Sequence, residues 1–481
     1  MNYCQWTRST RALLVGSSLT LAACAGQLVN SSAAHADNDF RLLQTDSFAS
    51  TYQPLPSETV LIRNATVLTG TGERIDGGDV LIRDGRIDAV GHNLSAPAGA
   101  DVIDATGQWL TPGLIDVHSH LGVFASPGVW AHSDGNEVVG PNTAHVWAEH
   151  GLWPQDPGFV TALQGGVTTL MILPGSANIF GGRGVTVRNV PARSAQEMKF
   201  PGAPHSLKMA CGENPKRVYG SGRNSAPATR MGNKALVRSA FIDAQEYLDN
   251  WREYDEKRAD GDEDASAPKR NLQLETIAGV LTGEILLHNH CYRADEMMQR
   301  LDVAAEFGFH ITAFHHAVEA YKIADHLAEA GTCAAMWSDW WGFKMEAWDA
   351  VRENVPMVEA AGACAILHSD SANDIQRLNQ EAAKAMAAAN RAGLSVTREQ
   401  AIGWLTLNAA RSLGIAEETG SLEPGKRADV VLWDADPFSV YARTQHVYVD
   451  GARIYDRNDP SRQPELDFTL GMMGTAGQGG Q

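Results

Sequence analysis

Positive charge is in short supply in this chain. Its 481 residues hold 39 lysines and arginines against 57 aspartates and glutamates, a formal net charge of -18. Such a chain repels phosphate backbones, which excludes a nucleic-acid partner. Long apolar runs are also missing, for the one concentrated stretch, Ala12 to Ala23, is too short to span a bilayer as a mature helix. Cysteine is scarce, at six residues, and no Cys-x-x-Cys occurs. Cys4 and Cys24 fall near the N-terminus. Cys211, Cys291, Cys333 and Cys364 are far apart, each in or beside a strand-like run, the distribution expected of buried free thiols. No internal repeat is found. Gly175-Ser176-Ala177-Asn178 with Gly181-Gly182 lacks the Gly-Lys-Ser/Thr ending of a phosphate loop and reads as a tight loop. What is present is an ordinary globular composition, 44% hydrophobic, in a chain long enough for a large core and a second domain.

The N-terminus reads as an export signal. Arg8 and Arg11 precede the apolar stretch, and small residues follow it. Leu21-Ala22-Ala23-Cys24 resembles a bacterial lipobox, which would make Cys24 a lipidated N-terminus and the membrane a partner only through that anchor. Ala34-His35-Ala36 is the competing cleavage site. The expected organisation is a signal over 1–24, a flexible tether over 25–54, and a (β/α)8 barrel over 111–415. A small composite β-sandwich is built from 55–110 and 416–460, and a flexible Gly-rich tail covers 461–481. The sandwich rests on short β-runs at both ends, with Asp84-Gly85 as a hairpin turn. The barrel rests on strand-like runs (Val167 to Leu173, Ser206 to Ala210, Ile285 to His290, His310 to Phe314, Cys333 to Trp337, Ala363 to His368) alternating with helical ones such as Ala294 to Phe307. Acidic Asp260 to Asp264 is a solvated loop.

Chemistry gathers at the strand ends. In Leu114-Ile115-Asp116-Val117-His118-Ser119-His120 two histidines two apart share one strand face and can converge on a divalent metal. His288 and His290 repeat the spacing, His315 and His316 end the next strand, Lys208 sits in another, and Asp370 follows Ile366-Leu367-His368-Ser369. Any one of these is as easily a satisfied core residue. Together on one rim they read as a hydrolytic metal centre, with water activated by the metal and Asp370 as the carboxylate that moves its proton. A lysine can ligate only once carboxylated, so Lys208 is conditional, and an ion-paired barrel lysine is the competing account. The long insertion around Gly212 to Arg217 and Ala228 to Gly232 suggests a lid or exposed decoration. Trp337 to Phe343 suggests an aromatic wall, for which core packing is the alternative. Tyr292 and Arg293 are candidates to hold a substrate carboxylate.

These motifs resemble the amidohydrolase superfamily, in its imidazolonepropionase-like and metal-dependent dipeptidase-like branch. The resemblance is carried by Thr111-Pro112-Gly113 running into His118-Ser119-His120, by Gly165 to Thr169, Leu207-Lys208-Met209, His290 to Asp295, Ser369-Asp370 and Gly420 to Val430. It implies the barrel with a composite β-sandwich, and His118, His120, Lys208, His290, His316 and Asp370 as metal ligands. It further implies one or two zinc ions (or another divalent metal), with Lys208 carboxylated if there are two. His288 against His290, His315 (where relatives often carry glutamate) against His316, and Glu213 against Lys208 stay open. The implied activity is hydrolysis of a C–N bond of a small-molecule amide, cyclic amide or dipeptide by an exported enzyme. A heterocyclic-amine deaminase and a non-catalytic scaffold are the alternatives. Barrels of this kind often form homo-oligomers, but no interface is identifiable from the residues.

Overall fold

A computed structural model describes residues 48–463. The expected signal, Cys24, most of the tether and the tail from 464 lie outside the described residues.

Five strands precede the barrel: Val60–Leu68 (β1), Arg74–Arg83 (β2), Arg86–Gly91 (β3), Asp101–Asp104 (β4) and Trp109–Pro112 (β5). Eight follow: Leu114–Ser119 (β6), Val167–Ile172 (β7), Phe180–Arg188 (β8), His205–Ala210 (β9), Ile285–His290 (β10), Ile311–His315 (β11), Cys333–Met336 (β12) and Ala365–Leu367 (β13). Val430–Trp433 (β14), Thr444–Val449 (β15) and Ala452–Asp456 (β16) complete the set.

The terminal strands form one sheet ordered β16-β15-β14-β5-β1-β2-β3, with β4 also on β1. Its two ends share a core: Ile87 of β3 packs in one cluster with Val430, Leu432 and Tyr448, so the sheet folds over itself as a sandwich does. Two hairpins have matching two-residue turns. Asp84-Gly85 and Asp450-Gly451 put both central residues at positive φ, between 47° and 77°, the backbone that two-residue turns between twisted strands require.

Strands β6 to β13 form the barrel sheet in chain order. Alternate residues along β6, β11 and β13 meet in a buried cluster that includes Ile115, Val117, Ala313 and Ile366. Gly113, between β5 and β6, lies tight against β7, and a Cβ there would lie 2.1 Å from Thr168 Oγ1. One strand departs from the parallel pattern: β8 is antiparallel to both β7 and β9. The short connection from β7 has no helix, and only antiparallel neighbours can be joined that way. The glycine-rich run read as a tight loop thus leads into a fully buried strand.

The barrel closes along a seam between β13 and β6. On one side of it the 404–405 segment bridges the two strands, Ile115 N donating to Leu405 O at 2.9 Å and Leu367 N to Trp404 O at 3.2 Å. On the other, Asp116 Oδ1 accepts from His118 N at 3.1 Å and Ser369 N at 3.2 Å, and the Ser369 hydroxyl bonds Asp116 Oδ2. Burial pushes the Asp116 carboxyl up to about 6, against these hydrogen bonds.

The four described cysteines are paired, which corrects the expectation of free thiols. Cys211–Cys291 and Cys333–Cys364 are disulfides with Cα–Cα distances of 5.3 and 4.4 Å. Strand register is the reason. Ala210 faces His290 across β9 and β10, and Ala334 faces Ala365 across β12 and β13, which leaves each cysteine beside its partner. The insertion between β9 and β10 contains a 30-residue helix, Arg230–Ala259, capped by the Thr229 side chain.

Sandwich and barrel are tied by a buried ionic knot. Arg188, at the end of β8, is fully buried and grips both carboxylate oxygens of Asp429. Its guanidinium also lies 3.2 Å from Asp450, which accepts from Tyr52 and from Arg427. Removing one partner of such a knot strands the other charges away from water. Arg188→Ala is therefore expected to cost roughly 3–5 kcal/mol, read as a lowered midpoint of denaturant unfolding.

Candidate metal centre

Three strands end in the same arrangement, a deep residue and a rim residue two positions apart: His118 and His120 at the end of β6, His288 and His290 on β10, His368 and Asp370 after β13. The three deep histidines are all but completely buried. The period-two geometry of a strand sends both members of each pair into the barrel mouth. His316 joins them from the end of β11. It and Asp370 adopt positive φ, 56° and 50°, a backbone cost typical of functional positions.

Two tight groups result, His118 with His120 and Asp370, and His118 with His316 and His368, the potential ligand atoms within each lying inside 4.8 Å of one another. His368 is the member that sequence reasoning missed, although His368-Ser369-Asp370 repeats the spacing of the other two pairs. His120 Nδ1 lies 2.7 Å from Leu173 O. A carbonyl only accepts, so that nitrogen carries the proton and Nε2 faces Asp370 Oδ1 at 3.2 Å. Asp370 N is held by His118 O at 3.0 Å. Burial raises the Asp370 pKa, but the hydrogen bond and charge of His120 outweigh it and hold the carboxyl below its usual value.

Behind the cluster runs a chain of three imidazoles. His118 Nδ1 meets His315 Nδ1 at 2.7 Å, and His315 Nε2 meets His288 Nδ1 at 2.8 Å. With both its nitrogens engaged, His315 orients His118, whose Nε2 is left facing Asp370 Oδ1 at 3.7 Å. Burial, reinforced by the charge of Lys208, keeps His118 well below its usual pKa and His288 down at about 3. Neutral imidazoles are the ligating form.

Lys208 is fully buried, 3.5 Å from His118 Nε2 and donating to Pro174 O at 3.1 Å. Burial pulls its ammonium down to about 7. His290 stands beside His316, ring centres 4.8 Å apart, with Nδ1 at 2.9 Å from Ser176 Oγ and Nε2 at 3.4 Å from Asn214. Neither Lys208 nor His290 belongs to the two tight groups. Glu213 lies past the end of β9, near Lys344 at 3.9 Å.

A cavity of about 700 Å³ opens over the cluster, lined by His120, Ser176, Asn214, His290, His316 and Asp370 on one side and by Tyr292, Trp337, Asp339, Trp340, Trp341, Phe343 and Lys344 on the other. Trp337 stacks on His316 with ring centres 4.4 Å apart. Arg293 does not line it. Its guanidinium is held by Asp295 at 2.8 Å, at the start of the helix Ala294–Phe307. Lys344, which the sequence reading passed over, is the basic residue that lines it.

The donor set fits a divalent metal on the structure's own terms. His316 Nδ1 and both nitrogens of His368 are buried without a hydrogen-bond partner, an arrangement that costs free energy unless something satisfies it. The His120–Asp370 approach likewise calls for a shared cation, either a proton or a metal ion. Imidazole and carboxylate suit zinc and similar ions.

A barrel with a metal-type cluster at one mouth and a composite sheet domain defines the class. The comparisons then give the family. The amidohydrolase family model matches residues 276–456. The crystal structure of an amidohydrolase from Thermotoga maritima matches with TM-score 0.75 at 36% identity, covering 83% of this chain and 100% of that one. Amidohydrolase tasK of Hapsidospora irregularis is 33% identical over 432 residues, 82% of this chain but 43% of tasK, so the chain spans less than half of that relative. An imidazolonepropionase of Mesorhizobium japonicum is 26% identical over 382 residues, 75% of this chain and 87% of that protein. The chain belongs to the amidohydrolase family.

Because His315 orients His118, His315→Phe is expected to weaken divalent-metal affinity roughly 10–100-fold. Chelator competition on the folded protein measures this directly.

Proposed function

We propose that the chain is an exported metal-dependent hydrolase that cleaves a C–N bond of an amide, cyclic amide or dipeptide-like small molecule. The observation that carries this reading is the convergence of His118, His120, His316, His368 and Asp370 in two groups that share His118, with His120, His316 and Asp370 lining the cavity. His118, His120 and Asp370 would hold one zinc ion. His290 and His316, with Lys208 in its carboxylated form, would complete a second site, to which His368 would add a donor. The metal supplies Lewis acidity, polarising the substrate carbonyl and acidifying water. Asp370, ionised at neutral pH, accepts the proton of the attacking water and passes it to the departing nitrogen. Tyr292 and the tryptophans enclose the substrate and thin the water around the reacting bond. Two disulfides favour an oxidising compartment and so support export, with Cys24 as the lipid anchor.

Metal analysis of the mature protein with Lys208→Ala alongside, followed by turnover on dipeptides and cyclic amides, tests the reading. The expected result is about two zinc equivalents, falling together with activity in the variant. Roughly one equivalent, unaffected by the substitution, refutes the dinuclear assignment. Release of ammonia in place of an amine or amino acid identifies a deaminase, and absence of stoichiometric metal identifies a scaffold.

A further inference from the structure

The loop after β12 brings an aromatic wall and a single cation over the metal cluster. Trp337 and Trp340 stack with ring centres 5.5 Å apart, and Tyr292 stacks on Trp337 at 6.1 Å. Lys344 is the one lysine or arginine among the residues lining the cavity. Its Nζ lies 4.2 Å from the centre of the Tyr292 ring and donates to Asn214 Oδ1 at 3.0 Å. The other end of that carboxamide, Nδ2, stands 3.4 Å from His290 Nε2, so the ammonium is one carboxamide removed from the imidazoles.

The charges around Lys344 leave it able to take an anion. An ammonium has three N–H donors. Asn214 uses one, the face of Tyr292 attracts another, and the Glu213 carboxylate, its ion-pair partner at 3.9 Å, stands beyond hydrogen-bond length and leaves the third donor for a ligand anion. Of the acids lining the cavity, Asp339 is paired with Lys384 at 2.6 Å and Asp370 belongs to the metal cluster. The Lys344 side chain is 18% exposed, so an anion bound there is poorly screened.

Its position is also well fixed. Gly342 N donates to Ala347 O at 2.8 Å and Ala347 N to Lys344 O at 3.1 Å. Glu346 is buried, accepts from Glu213 N at 2.9 Å and pairs with Arg230. Arg230 opens the insertion helix and also binds Glu296 at 2.9 Å. Two separate elements therefore clamp the loop, and Glu296 braces one of them.

We propose that Lys344 receives a carboxylate of the substrate while the Trp337–Trp340 face takes an aromatic or apolar side chain. The substrates are then N-acylated amino acids or dipeptides with a free carboxylate, not neutral heterocycles. The assignment rests on the hydrolase reading above and is tested by binding, which does not require turnover. The probes are N-acetyl-L-phenylalanine and its neutral carboxamide, titrated into the metal-loaded protein by calorimetry and tryptophan fluorescence. The carboxylate is expected to bind roughly tenfold or more tighter, the scale of a hydrogen bond to a charged group. Lys344→Met should reduce its affinity to that of the carboxamide, and Lys344→Arg should retain most of the preference. Equal binding of the two probes, no binding of either, or a preference that survives Lys344→Met overturns the assignment. A preference of the expected kind without turnover of N-acyl amino acids supports Lys344 as the anion site and counts against the hydrolase reading alone.

Discussion

The site depends on how the barrel closes. Its first and last strands meet at a seam, and the seam contributes His118 and His120 from one side and His368 and Asp370 from the other. The Asp116 carboxylate holds His118 N and Ser369 together, while Asp370 N bonds directly to His118 O. A buried carboxylate is costly unless its lone pairs are satisfied. Asp116 is satisfied only when the seam is shut. Closing the fold and assembling the ligand set are therefore one event, and an error in strand register would lose both.

Outside the seam, precision comes from polar contacts reaching in from neighbouring strands and loops. The imidazole chain through His315 sets the orientation of His118, and Ser176 and Asn214 set that of His290. The aromatic wall is joined to the same frame, since Trp337 donates its indole N–H to Ser369 O at 3.2 Å. The cavity and the metal cluster thus share supports. The functional side chains sit on strand ends held by a rigid sheet, and the loops supply what distinguishes one substrate from another.

Much of this was legible because strands impose a period of two. His118-Ser119-His120 and His288-Asn289-His290 announce shared faces directly, and Asp84-Gly85 announces its hairpin. His368 escaped because its rim partner is an aspartate, so the pair did not look like a pair. Strand β8 escaped because glycines and two arginines, Arg183 and Arg188, are unusual in a buried strand, and tertiary contacts override that expectation, Arg188 pairing with Asp429 and Arg183 lying over Trp147 and bonding Thr276. The disulfides escaped for a different reason. Cys211 and Cys291 are 80 residues apart, Cys333 and Cys364 are 31, and only strand register makes them neighbours. Lys344 lies in a loop, where neither period nor spacing indicates which way a side chain turns.

The Cys211–Cys291 bond makes the whole β9–β10 crossover a covalent ring, and the helix Arg230–Ala259 lies inside it. The acidic stretch around Asp260 to Asp264 is one exposed part of that ring, open to a protease. A single cut there turns a closed ring into two chains that stay joined at sulfur. The clipped molecule keeps its mass without reductant and separates into two pieces with it. Arg230 remains on the fragment that carries β9 and Glu346 on the other, so the clamp on the cavity loop would then be held across two chains.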